Sequence, residues 1–123
     1  MPLPTDSAER KRYPLASGLL DYFPDALAEV ARVSWVGNEK HNPGEPLHHA
    51  RGKSMDHADC ILRHLLQRGE FEDVQIGDAT YRVRHSACLA WRALALLQEE
   101  LEAAGAPMAR GAQPAPRERA ART

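Results

Sequence analysis

The run Arg84-His85-Ser86-Ala87-Cys88-Leu89-Ala90-Trp91-Arg92-Ala93-Leu94-Ala95-Leu96-Leu97-Gln98-Glu99-Glu100-Leu101-Glu102 reads as one long helix, and it decides the fold. Leu89, Trp91, Leu94, Leu96, Leu97 and Leu101 point nearly all round it. A helix apolar on most sides belongs at the centre of a bundle. One polar seam interrupts it: His85, Arg92 and Glu99 recur at seven-residue steps and share a face. Such groups need polar company if they are buried. Two readings stand. The seam faces solvent or pairs with Glu29, Glu39 or a neighbouring subunit. Otherwise it walls a pocket for an anion such as phosphate, for which the arginine fork is well shaped.

Working outward, a second helix is expected from Ser54, a good N-cap, to Arg68-Gly69, a usual C-terminal signal. Ala58, Leu62 and Leu65 centre its apolar stripe, with Met55, Ile61 and Leu66 alongside. His57 and His64 lie at one border of the stripe, and Asp56, Asp59 and Arg63 cover the other. An earlier helix opens after Phe23-Pro24-Asp25, where Pro suits the first turn and Asp the positive end of the dipole. Leu27, Val30, Ala31, Ser34 and Trp35 share one of its faces, with Glu29, Val33 and Val36 on the next. It stops at Gly37 or continues to about His41, and Asn42-Pro43-Gly44 ends it. Thr80-Tyr81-Arg82-Val83 suits an extended strand but shows no strand to pair with. The fold expected is all-α, a small bundle of three to four helices.

Both ends read as tails. Residues 1–12 are expected to form a loose arm, and residues 104–123, rich in Ala, Pro, Gly and Arg, a disordered tail. That leaves 13–103 as the domain, about 90 residues and near the lower limit for a comfortable monomer, so an oligomer is expected. The chain of 123 residues has a formal net charge of −1. Arg10, Lys11 and Arg12 outweigh Asp6 and Glu9 in the arm by one charge, and four tail arginines outweigh Glu118 by three, so the domain itself carries −5. Nucleic acid is therefore not expected as a partner except through the basic tail, because phosphate binding needs a basic surface. An acidic domain suits a divalent cation. No apolar run is long enough for a membrane span and no export signal is visible, so a cytosolic protein is expected. Cys60 and Cys88, without a CxxC pairing, read as buried thiols.

The carboxylates are the first metal candidates. Asp56 and Asp59, three apart, project from one helix face, and Glu29 and Glu39 follow one another on the first helix. Hard ions such as Mg²⁺ take oxygen ligands of this kind together with water and substrate phosphates. The plainer reading of Asp56 and Asp59 is that acids in a first turn stabilise a helix without any ligand. Six histidines, among them the adjacent His48 and His49, occur without the spacing of a zinc motif. A zinc protein using His57, His64, His85 and a cysteine is the weaker alternative.

The order of these pieces resembles a known family. Leu27-Ala28-Glu29-Val30-Ala31 followed by Gly37-Asn38-Glu39-Lys40-His41-Asn42 is similar to the opening of the phage-type dATP/dGTP diphosphohydrolase N-terminal domain family. Cys60-Ile61-Leu62-Arg63-His64-Leu65, then Arg68-Gly69-Glu70 and Glu72-Asp73, resembles its next landmark, and His85 to Leu97 its last. The match covers about residues 13–103. Members are related to MazG-like nucleotide pyrophosphohydrolases. The resemblance implies an oligomeric helical bundle that cuts a (deoxy)purine nucleoside triphosphate to monophosphate and pyrophosphate with Mg²⁺, or Mn²⁺, in a bacterial or phage-infected cytoplasm. It implies Glu29, His64 and His85 as catalytic, Lys40 and Arg63 on the substrate phosphates, and Glu29 and Glu39 on the metal. The seam residue Arg92 is expected beside them on the phosphates, and Asp56 and Asp59, from their shared helix face, on the metal. His41, Pro43, Cys88 and Arg92 stand where the family usually has Tyr, Trp, His and Asn. The alternative is accordingly a non-catalytic helical module, binding a nucleotide or a protein partner, with a basic C-terminal tether.

Overall fold

The computed structural model describes residues 3–50 and 55–113. Four α-helices are present among the described residues: α1 (Ser7–Arg10), α2 (Pro24–His41), α3 (His57–Leu66) and α4 (His85–Ala103), with a short π-helical turn at Ala16–Leu20. Helix α2 has Pro24 and Asp25 in its first turn and Lys40 and His41 in its last, so both ends complement the dipole. It runs through Gly37, the longer of the two expected lengths. Helix α3 begins at His57, and the expected cap Ser54 lies outside the described residues. Gly69, at φ 86, then reverses the chain.

The fold is not purely α-helical. Strands β2 (Phe71–Ile76) and β3 (Ala79–Arg84) form an antiparallel hairpin between α3 and α4, which corrects the all-α expectation. Thr80–Val83 has a strand partner after all, with Val74 opposite Tyr81 and Glu72 opposite Val83. The two-residue connection Gly77-Asp78 explains it. Gly77 has φ 59 and no non-glycine residue among those described, Asp78 included, has positive φ, the conformation of a II′ hairpin turn. Alternate residues Glu72, Val74 and Ile76 turn to the partly buried face, and Phe71, Asp73 and Gln75 to solvent. His85 N–H donates to the Glu70 carbonyl at 3.1 Å, tying the start of α4 to the start of the hairpin.

The arm contains helix α1, capped by the Asp6 carboxylate on the Glu9 N–H at 3.0 Å. In the tail, β4 (Ala112–Gln113) pairs in parallel with β1 (His49–Ala50), so backbone pairing continues past the expected boundary at Ala104. Residues 114–123 lie outside the described part.

Helices α3 and α4 pack along their length, and α2 crosses α4 more loosely. Trp91 Nε1–H donates to Ser34 Oγ at 2.8 Å across the α2–α4 gap, and His49 meets the Trp91 ring edge-on at 5.0 Å. Among the described residues the buried apolar set is small: Val36, Ala50, Cys60, Val83, Ala87 and Ala95. Many larger side chains stay exposed, including Leu94, Leu97 and Leu101 on α4 and Trp35 on α2. No described helix is long and apolar enough to cross a membrane.

Candidate functional site

The polar seam of α4 faces α3. His57 and His64 on α3 are seven residues apart, as are His85, Arg92 and Glu99 on α4, and the helices run antiparallel. The two rows therefore meet side by side. His64 Nδ1 and His85 Nδ1 are 2.9 Å apart. His57 bonds Glu99 through Nε2 and lies 3.3 Å from an Arg92 guanidinium nitrogen through Nδ1.

Arginine only donates, and that assigns the protons. Arg92 N–H donates to His57 Nδ1, so the His57 proton is on Nε2 and is donated to the Glu99 carboxylate. Arg63 lies 3.4 Å from His64 Nε2 and donates to it, which leaves the His64 proton on Nδ1, donated to His85 Nδ1. These contacts fix the ring orientation of both α3 imidazoles. His57, His64 and His85 are all buried, and His64 is only 4% exposed. Burial first, then the Arg63 charge, then His85, pushes the His64 pKa below its ordinary value of 6.5, with Arg92 adding to this and Glu72 opposing it.

At the end of this seam Glu72 from β2 and Cys88 from the first turn of α4 come beside His64. One ligand atom from each lies within 4.8 Å of the others. Burial pushes the Cys88 thiol pKa up, the Glu72 carboxylate pushes it further, and Arg63 and Arg92 pull it back. Two guanidinium groups, an imidazole pair, a carboxylate and a thiol thus share one corner.

That corner opens onto a cavity of about 1020 Å³ between α2, α4, the hairpin and the β1–β4 segment. Its walls are mostly apolar, with Leu27, Val33, Leu94 and Leu97 among them. His64, Glu72, Cys88, Arg92 and Lys40 supply charge and chemistry. Glu72 is the sole carboxylate on the wall among the described residues. A mostly apolar cleft with a few convergent polar groups is the usual form of a small-molecule site.

The expected residues divide accordingly. His64, His85, Arg63 and Arg92 come together, and Lys40 stands on the same cavity. Glu29 is exposed, pairs with Arg32 at 4.0 Å, and lines a separate small groove with Asp25 and Arg84. Glu39 is half-buried on α2 but absent from the cavity lining. Asp59 is exposed. Asp56 is exposed too, with its carboxylate 3.5 Å from the Cys60 thiol and 4.0 Å from Arg92. Among the described residues no three of these four acids bring ligand atoms within 4.8 Å of one another. Glu72 is the functional candidate that helix periodicity missed. Its signal was an acid on the inward-facing register of an otherwise apolar strand face, legible only once the hairpin is placed.

Mg²⁺ asks for oxygen ligands in near-octahedral array. One carboxylate beside an imidazole and a thiol does not make such a cage, so the corner on its own does not fit a resident Mg²⁺ ion. No curated protein and no solved structure matches the chain. The family described as dATP/dGTP diphosphohydrolase, N-terminal, matches it over residues 4–107, which spans α1 through α4 and every residue of the corner, and the chain belongs to that family.

Proposed function

We propose that this chain hydrolyses a (deoxy)purine nucleoside triphosphate to its monophosphate and pyrophosphate. The observation that carries the reading is the corner itself: a neutral, oriented imidazole, a carboxylate and the Arg92 guanidinium meeting on the wall of a cleft, with Arg63 beside the imidazole, in a chain of this family. The α2 side of the apolar wall, with Leu27 and Val33, takes the base and sugar. Lys40, Arg63 and Arg92 take the triphosphate, whose charge spreads over oxygens that planar guanidinium groups bind in pairs. His64, with its Nδ1 proton fixed by His85, offers the Nε2 lone pair to a proton of the attacking water once Arg63 turns to the phosphates. A pKa below 6.5 keeps that lone pair free at neutral pH. His85 acts as a positioning residue.

Mg²⁺ or Mn²⁺ enters as the companion of the triphosphate, held by phosphate oxygens and water, a mode this ion commonly uses. The working unit is a homo-oligomer. Exposed Leu94, Leu97 and Leu101 on α4 supply the contact face, since so small a buried core leaves much apolar surface to cover.

The test is pyrophosphate release from each common dNTP and NTP with Mg²⁺ or Mn²⁺. Release from a purine substrate is expected. No release from any of them discards the hydrolase. Tight nucleotide binding without release would instead identify a binding module.

A further inference from the structure

We propose that His64, Glu72 and Cys88 form a site for a borderline divalent transition ion of the Zn²⁺ class, with one coordination position open to the cavity. Three different elements deliver the three ligands, α3, β2 and the first turn of α4, and their ligand atoms already lie within 4.8 Å of one another. Bonds of about 2.0–2.3 Å to a tetrahedral ion place its ligands roughly 3.5 Å apart, so closure asks for side-chain shifts on the order of 1 Å.

The donor set selects the ion. A thiolate, an imidazole and a carboxylate suit Zn²⁺ or Co²⁺ and disfavour Mg²⁺ and Ca²⁺. Three protein ligands with an open fourth position is the arrangement of reactive zinc centres, whereas structural zinc is closed by four. The remaining contacts fit. Histidines that bind metal give their second ring N–H to a fixed acceptor. His64 gives its Nδ1–H to His85, and the lone pair left for an ion is on Nε2. The neighbour now at Nε2 is Arg63, which is exposed and has room to turn outward. Cys88 stands in the first turn of α4, where its own backbone contact favours a thiolate but burial and the Glu72 carboxylate outweigh it, so the thiol keeps its proton until an ion displaces it.

The proposal is independent of triphosphate hydrolysis. It does predict an interference: an ion on His64 occupies the lone pair proposed to accept the proton, so Zn²⁺ inhibits Mg²⁺-supported turnover.

The experiment titrates Co²⁺ into the reduced, chelator-stripped full-length protein without nucleotide and follows the optical spectrum. About one Co²⁺ per chain is expected, with a thiolate-to-metal charge-transfer band in the near ultraviolet and the strong visible bands of a tetrahedral ion. Zn²⁺ bleaches both, and excess Mg²⁺ leaves them unchanged. Cys88→Ser removes the charge-transfer band, whereas Cys60→Ser keeps it. Glu72→Gln keeps the band but weakens binding at least about tenfold, the loss that even an outer-sphere partner can bring. Circular dichroism checks that each variant is folded. The wild-type spectrum stands without any variant: no charge-transfer band overturns the site. So does a band that survives Cys88→Ser, or Glu72→Gln and His64→Gln variants that bind as tightly as wild type. Failure here leaves the hydrolase reading standing, and a silent pyrophosphate assay leaves the metal site standing.

Discussion

The two flanks of α4 solve the same packing problem in opposite ways. Toward α3 it presents His85, Arg92 and Glu99, and each meets a histidine of matching spacing. Toward α2 it presents Leu94, Leu97 and Leu101, and these meet a cavity of about 1020 Å³ instead of a partner helix. Polar groups are closed against each other, while apolar groups are left open. In a chain selected only for stability the reverse would be expected, because apolar burial is what drives folding and buried polar pairs contribute little net. The α3 flank therefore reads as a device for holding side chains in fixed tautomers and directions. The α2 flank reads as surface awaiting a ligand or a second copy.

The largest expected effect comes from Arg92, which belongs to both flanks: it reaches His57 on one side and lines the cavity on the other. Arg92→Met keeps much of the stem and removes the charge. If the guanidinium binds the transferring phosphates, pyrophosphate release falls about 10²–10³-fold, the usual cost of one oriented donor. A fall carried by KM alone would confine Arg92 to substrate capture, and unchanged kinetics would confine it to the α3–α4 seam.

The apolar flank is broken next. Leu97 is 52% exposed and Leu101 49% exposed, and both line the cavity. Burying one leucine contributes about 1.5–3 kcal/mol, so Leu97→Glu should weaken self-association by roughly 10- to 100-fold. Light scattering across a concentration series measures it. An unchanged mass with a raised KM would place Leu97 against the nucleotide instead.

How far the molecule was legible in its sequence follows the same division. The seven-residue seam on α4 and the His57–His64 pair were visible as periodicities, and so were the three long helices, because period alone places side chains on a helix face. Their mutual pairing was not, since it depends on the two helices running antiparallel at matched height. The hairpin was missed for a chemical reason. Its inward row is Glu72, Val74, Ile76, and the acid at the head of that row, next to Glu70 and Asp73, disguises the alternation as a charged loop. Gly77-Asp78 was the clue, a two-residue connection that takes positive φ at its first position. Losing the hairpin also lost Glu72, and with it the carboxylate that faces the cavity. The acids picked by helix position, Glu29, Asp56 and Asp59, lie at exposed positions instead.

A smaller effect probes the coupling within the polar flank. His57 stands between Arg92 and Glu99, so His57→Ala removes one contact from each of these half-buried groups, at a cost of about 1–3 kcal/mol. Glu99→Gln removes the charge but can still accept from Nε2, and should cost less. Urea denaturation of both single variants and the double variant gives the coupling. Additive costs would mean that the His57–Glu99 contact does not act as a unit.

The smallest effect is a dependence on pH, and it separates His64 from the rest of the seam. The groups around it are Arg63 on its own helix, Glu72 on β2, and His85, Cys88 and Arg92 on α4. Burial, ahead of the Arg63 and His85 charges, holds the folded-state pKa of His64 below 6.5. Between that lowered value and 6.5 the unfolded chain binds a proton that the folded chain refuses. Stability therefore rises with pH through this window. The contribution is complete above 6.5, fades as pH falls through the folded-state value, and loses nothing more below it. In metal-free protein, His64→Gln should flatten this part of the stability profile while leaving the slopes due to other groups. Melting temperatures at half-unit pH steps, taken as wild type minus variant, isolate the difference. A difference curve that is flat across the acid side of 6.5 would mean that His64 is open to water, and the tautomer assigned from its contacts with Arg63 and His85 would fall with it.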